Sequence, residues 1–95
     1  MSNFGQGLIE AYPGLLEEDI WIDADGRRIP IEEMSSVHKK SVLKYLKRDL
    51  NGYSLGKHFK NGVGYSKNLG ISKKEFDELK EIYELLVRKI DELEK

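Results

Sequence analysis

The chain has 95 residues, 39% apolar and 35% charged, with a net charge of −1 and no cysteine. This length predicts one domain with a modest core. Disulfides and thiolate metal sites are excluded. No apolar run approaches the roughly 20 residues of a membrane span, and Met1-Ser2-Asn3-Phe4 lacks the basic and apolar regions of a signal peptide, so a cytosolic protein is expected.

The small net charge conceals segregation. Residues 1–38 hold eight acids against two arginines, residues 39–74 ten Lys or Arg against Asp49 alone, and residues 75–95 eight acids against four bases. A positive middle between negative ends attracts either an anion or the acidic part of another copy.

In chain order, residues 1–18 predict an irregular segment. Gly5, Gly7 and Tyr12-Pro13-Gly14 break any long element, with room for a short helix around Leu8–Ala11 or Leu15–Glu18. A β-hairpin is expected over residues 19–31. Ile20-Trp21-Ile22 supplies one strand, Asp25-Gly26 the turn, and Arg27 to Ile31 the return. Alternation puts Ile20 and Ile22 on one face and Trp21 on the other, so the N-terminal segment or another subunit should cover the hairpin. Pro30 cannot donate to a ladder and marks an edge. Arg27 and Arg28, beside the turn, are either surface arginines or phosphate contacts.

Residues 35–51 predict a helix capped by Ser35 or Ser36 and stopped by Asn51-Gly52. Val42, Leu43, Leu46 and Leu50 form its apolar face, while Lys39, Lys40, Lys44, Lys47 and Arg48 make the remainder basic. His38 falls beside Met34 and Val42 and reads as a half-buried helix histidine. Residues 52–71 predict a loop rich in glycine, lysine and aromatic rings. The last helix, residues 72–95, opens with the capping box Ser72-Lys73-Lys74-Glu75. Its heptad stripe of Phe76, Leu79, Tyr83, Leu86, Ile90 and Leu93 reads as an oligomer interface, most simply of a dimer, and its carboxylates read as solvated. The fold class expected is α+β: a small hairpin plus two main helices, the C-terminal one long and amphipathic.

From Trp21 to His38 the chain resembles a family of short bacteriophage proteins. The matching residues are Trp21, Asp25-Gly26, Ile29, Ile31, Glu33-Met34 and His38; Lys39 and Ser41 stand where the family carries Leu and Asn. The resemblance implies a phage or prophage origin and a small accessory protein, which inhibits a host protein or counters a host defence inside an infected or lysogenic cell. The pattern reads as a folding signature rather than an active site.

The richest functional signal is residues 50–74, which contain no acidic residue. Lys57, His58, Lys60 and Lys67 are candidate phosphate ligands, and Tyr53, Phe59 and Tyr65 candidate stacking rings. The alternatives are a solvated loop whose rings dock into the core, or contact with an acidic protein surface. Neither a P-loop nor a dinucleotide fingerprint is present. The two histidines are 20 residues apart, no spacing suggests a nucleophile, and no enzyme, cofactor or metal is expected. The leading expectation is stoichiometric capture of a phosphorylated small molecule, such as a nucleotide signal of a host defence. The alternative is a protein–protein inhibitor of a host protein. Nucleic-acid binding stands third, because acidic ends repel a long polyanion.

Overall fold

The structure is a computed structural model that describes the backbone of residues 3–95 and the side chains from residue 7 onward. It is an α+β fold. Helix α1 (Asn3–Ala11) and a 3-10 turn (Pro13–Leu16) lead into strands β1 (Ile20–Ile22) and β2 (Arg28–Pro30), then a 3-10 turn (Ile31–Glu33). Helix α2 (Ser36–Asn51), the short α3 (Gly56–Lys60), a 3-10 turn (Lys67–Leu69) and the long α4 (Lys73–Glu94) complete it. The body measures 44 × 24 × 19 Å. At 1.5 Å per residue α4 is ~33 Å long and runs most of that length.

Local chemistry sets the main boundaries. The Ser35 hydroxyl accepts from the His38 amide at 3.1 Å and starts α2. The Ser72 hydroxyl accepts from the Glu75 amide at 3.1 Å and starts α4. In the hairpin, Ile20 pairs with Pro30, Trp21 with Ile29 and Ile22 with Arg28. Gly26 takes φ 81° at the turn, and the Asp23 carboxylate accepts from the Asp25 and Arg27 amides at 2.9 Å each. Those amides hold the Asp23 pKa below its usual value, the Arg27 amide most of all.

Trp21 turns inward, 7% exposed, with its ring 6.0 Å from that of Tyr12. The N-terminal segment of the same chain therefore covers this side of the hairpin. Gly14 lies so close beneath β1 that a Cβ there would stand 2.9 Å from the Ile22 amide nitrogen. Within the stretch from Trp21 to His38, Trp21, Ile31 and Met34 are core residues and Gly26 shapes the turn.

Two stretches expected to lack regular structure are helical. The N-terminal segment forms α1 despite Gly5 and Gly7, because burial of Leu8 (6% exposed) outweighs weak propensity. Within residues 52–71, α3 forms around Phe59, which inserts among Tyr53, Phe76 and Tyr83 with ring centroids 5.3–6.3 Å away. Gly62 (φ 70°) and Gly70 (φ 75°) supply the left-handed turns that follow α3 and precede α4.

The heptad stripe packs within the chain. Phe76, Leu79, Leu86, Ile90 and Leu93 are 0–6% exposed, and only Tyr83 is half-buried. The reason is scale: a small domain has no other face broad enough to organise its core, so α1, α2, α3 and the first 3-10 turn collapse onto α4. Five of the six residues read as an interface are thus core within the single chain.

The carboxylates of α4 are not all solvated. Lys89 (0% exposed) and Glu92 (9%) form a buried pair at 2.6 Å. The Lys89 ammonium also donates to the carbonyls of Glu17 at 2.5 Å and Ile20 at 2.8 Å. Glu92 accepts from the amide of Asp19 at 3.1 Å, a residue held at φ 56°. The Arg88 guanidinium donates to the Leu15 carbonyl at 3.0 Å. One turn of α4 thus fastens the chain reversal that launches the hairpin.

Candidate functional site

The expected ligand set divides across α3. Lys57 and Lys60 lie one turn apart on one face of this helix, and both reach a groove of about 560 Å³ between α2, α3 and α4. Leu50 and Asn51 from the end of α2, Tyr53 and Ser54 from the connection, Gly56 from the start of α3, and Tyr83 and Val87 from α4 complete its lining. No lining residue is acidic, and neither lysine makes an ion pair among the described residues. Charge complementarity thus favours an anion at the rim, and the Tyr83 ring and Val87 offer an apolar wall.

The remaining residues face elsewhere or are occupied. His58 turns to the far side of α3, where its Nε2 is 2.8 Å from the Gly64 carbonyl and its ring stands edge-on to Phe76 at 5.8 Å. Tyr65 is half-buried, packs on Phe76 at 5.5 Å and donates its hydroxyl to the Ile71 carbonyl at 2.8 Å. Lys67 is exposed on its own 3-10 turn and does not line the groove.

Tyr53 and Phe59, expected as stacking rings, are buried at 5% and 9% exposure. The Tyr53 hydroxyl donates to the Leu79 carbonyl at 2.7 Å, and burial pushes its pKa up. Their flat faces are taken by the core, because an apolar ring gains more from burial against α4 than from facing water. Tyr83, read from the sequence as a seam residue, is the ring the groove retains. Heptad position marked it as apolar-facing; it is half-buried in the groove lining and packs on Tyr53 at 6.0 Å and on Phe59 at 5.4 Å.

The hairpin arginines are not free phosphate ligands. Arg27 pairs with Asp23 at 3.0 Å and Asp25 at 3.3 Å, and Arg28 pairs with Glu17. Two other clefts, of about 680 and 660 Å³, lie around the C-terminal end of α4 and share Asp19, Glu92 and Lys95. They are larger, but acids outnumber bases in both linings, three to two in the first and five to two in the second, which disfavours an anion. Among the described residues no group of three or more His, Asp or Glu is placed to hold a metal ion, and no helix is long and apolar enough to cross a membrane.

Comparison with protein-family models, curated proteins and solved structures found no match.

Proposed function

We propose that this protein acts by stoichiometric binding, capturing a phosphorylated small molecule of nucleotide type in the groove between α2, α3 and α4. The observation that carries this reading is the pair Lys57 and Lys60, unpaired and on one rim above an apolar, aromatic wall with no carboxylate in the lining. Each lysine supplies charge-assisted hydrogen bonds to phosphate oxygens. Tyr83, half-buried in the groove lining, offers a ring against which a base or other flat group would pack. The resemblance of residues 21–38 to bacteriophage proteins supports an accessory, counter-defence setting in the cytoplasm of an infected cell.

Thermal-shift measurements against mono-, di- and cyclic nucleotides test the reading. A ligand at 100 times its Kd adds about 2.7 kcal/mol to stability. Lys57→Ala and Lys60→Ala should each weaken binding about tenfold or more, the scale of one charged hydrogen bond, with unchanged unfolding of the free protein. If no nucleotide shifts the transition and one host protein co-purifies stoichiometrically instead, the inhibitor reading takes its place.

A further inference from the structure

The outward face of α2 and the C-terminal end of α4 adjoin and carry opposite charge. On α2, Lys40 and Lys44 are exposed and make no ion pair among the described residues. Arg48 shares their face, its guanidinium 5.2 Å over the Tyr45 ring and 3.4 Å from Asp49. On α4, five acids against two bases line the cleft of about 660 Å³. Glu92 is satisfied inside the fold by Lys89. Asp91 is exposed and has no ion pair among the described residues, and Glu18 reaches Arg88 only at 4.0 Å. Lys47 on α2 and Glu94 on α4 meet at 2.9 Å and mark the border between the two halves. None of these residues lines the groove at α3.

Such a two-signed patch selects its partner. A polyanion drawn by the lysines is repelled by the carboxylates beside them, and a uniformly acidic protein meets the same repulsion. The surface that matches both halves is itself two-signed, and another copy of this chain carries it by construction. The basic half is also apolar. Val37 and Tyr45 are 79% and 48% exposed, with the small, exposed Ser41 between them at helical spacing. A phosphate backbone buries neither side chain, whereas a protein surface buries both. Setting α2 against α2 would oppose like charges. A two-fold axis that sets α2 of each copy over the α4 end of the other opposes unlike charges, and makes each attraction twice. We infer that the protein forms a two-fold dimer in which the outward face of α2 docks on the acidic C-terminal end of α4 of a second copy. Lys40 and Lys44 of each copy then face Glu18 and Asp91 of the other, and Val37 and Tyr45 lie in the contact.

Light scattering from about 1 to about 100 μM protein tests this, in about 0.1 M salt where surface charges act over about 10 Å. The mass of the parent protein should double across that range. Lys40→Glu/Lys44→Glu and Glu18→Lys/Asp91→Lys should each keep the single mass, with the circular-dichroism spectrum of the parent. Mixed in equal amounts, the two variants should recover the doubled mass, because each face then meets its opposite sign again. Lys57→Ala/Lys60→Ala should dimerise like the parent, which separates this patch from the groove. A parent protein of single mass up to about 100 μM, with or without binding to duplex DNA, overturns the inference. So does a doubled mass that neither charge swap alters, or a mixture that stays at the single mass. A mass that climbs past doubling places the contact in an open chain and overturns the two-fold arrangement.

Discussion

The ammonium of Lys89 and the carboxylate of Glu92 meet at 2.6 Å inside the fold, and between them they bind the backbone of Glu17, Asp19 and Ile20. A buried charge pair adds little stability by itself, because each ion loses its water. Its consequence here is positional. The carbonyls of Glu17 and Ile20 and the amide of Asp19 have no ladder partner at the reversal, and the pair satisfies all three. Arg88 adds a bond to the Leu15 carbonyl at 3.0 Å and approaches Glu92 at 3.6 Å.

Removing one partner should therefore cost far more than removing an exposed ion pair. Lys89→Met is expected to destabilise the fold by about 3–5 kcal/mol, since it strands the Glu92 carboxylate and two carbonyls. Lys89→Met/Glu92→Leu should recover part of that loss and not all, because the backbone groups stay unpaired. Urea unfolding reads both, and full recovery in the double variant would deny the pair its role in holding the reversal.

Leu86 and Leu46 are fully buried. Leu86→Ala is expected to cost about 2–5 kcal/mol, the range for a buried leucine that leaves a cavity. The loss should be the same at every protein concentration, because this part of the stripe packs within one chain. A loss that grows with concentration would place it between subunits instead.

Two glycines should respond in opposite directions to alanine. Gly14→Ala puts a methyl 2.9 Å from the Ile22 amide and 3.3 Å from the Ile20 carbonyl, which should cost about 1–3 kcal/mol. Gly7 lies within α1, and a methyl there would meet nothing inside 4 Å, so Gly7→Ala should stabilise the fold by about 0.5–1 kcal/mol. Melting temperatures of the two variants should bracket that of the parent protein.

Stability should decline in alkali. Burial, followed by the hydrogen bond to Asp49, raises the Tyr12 pKa from 10.0 to about 12, with Arg48 opposing. Because the folded value lies above the unfolded one, the contribution is complete below pH 10 and is lost as pH rises toward 12. Tyr53, raised by burial, acts in the same direction. Urea midpoints across this window should fall, and Tyr12→Phe should make the fall shallower. An unchanged pH profile in Tyr12→Phe would remove Tyr12 from this account.

The parts of the fold legible in the sequence rest on local chemistry. Ser35 and Ser72 place the starts of α2 and α4 through bonds to amides three residues on, and Asp25-Gly26 with the flanking β-formers places the hairpin. The pairing of Lys57 with Lys60 on one helical face follows equally from a separation of three residues, once α3 exists. Tertiary structure decided the rest. Leu8 and Phe59 turn glycine-broken segments into helices because burial against α4 outweighs propensity. That same packing takes Tyr53 and Phe59 away from any ligand and sends His58 to the far side of α3. It also moves Lys89 and Glu92, which look like any other charges on an amphipathic helix, into the interior. Composition determined that cations would outnumber acids in the middle of the chain. Which of them stay unpaired, and on which face, depended on contacts between residues as much as 73 positions apart, and no local pattern encodes such contacts.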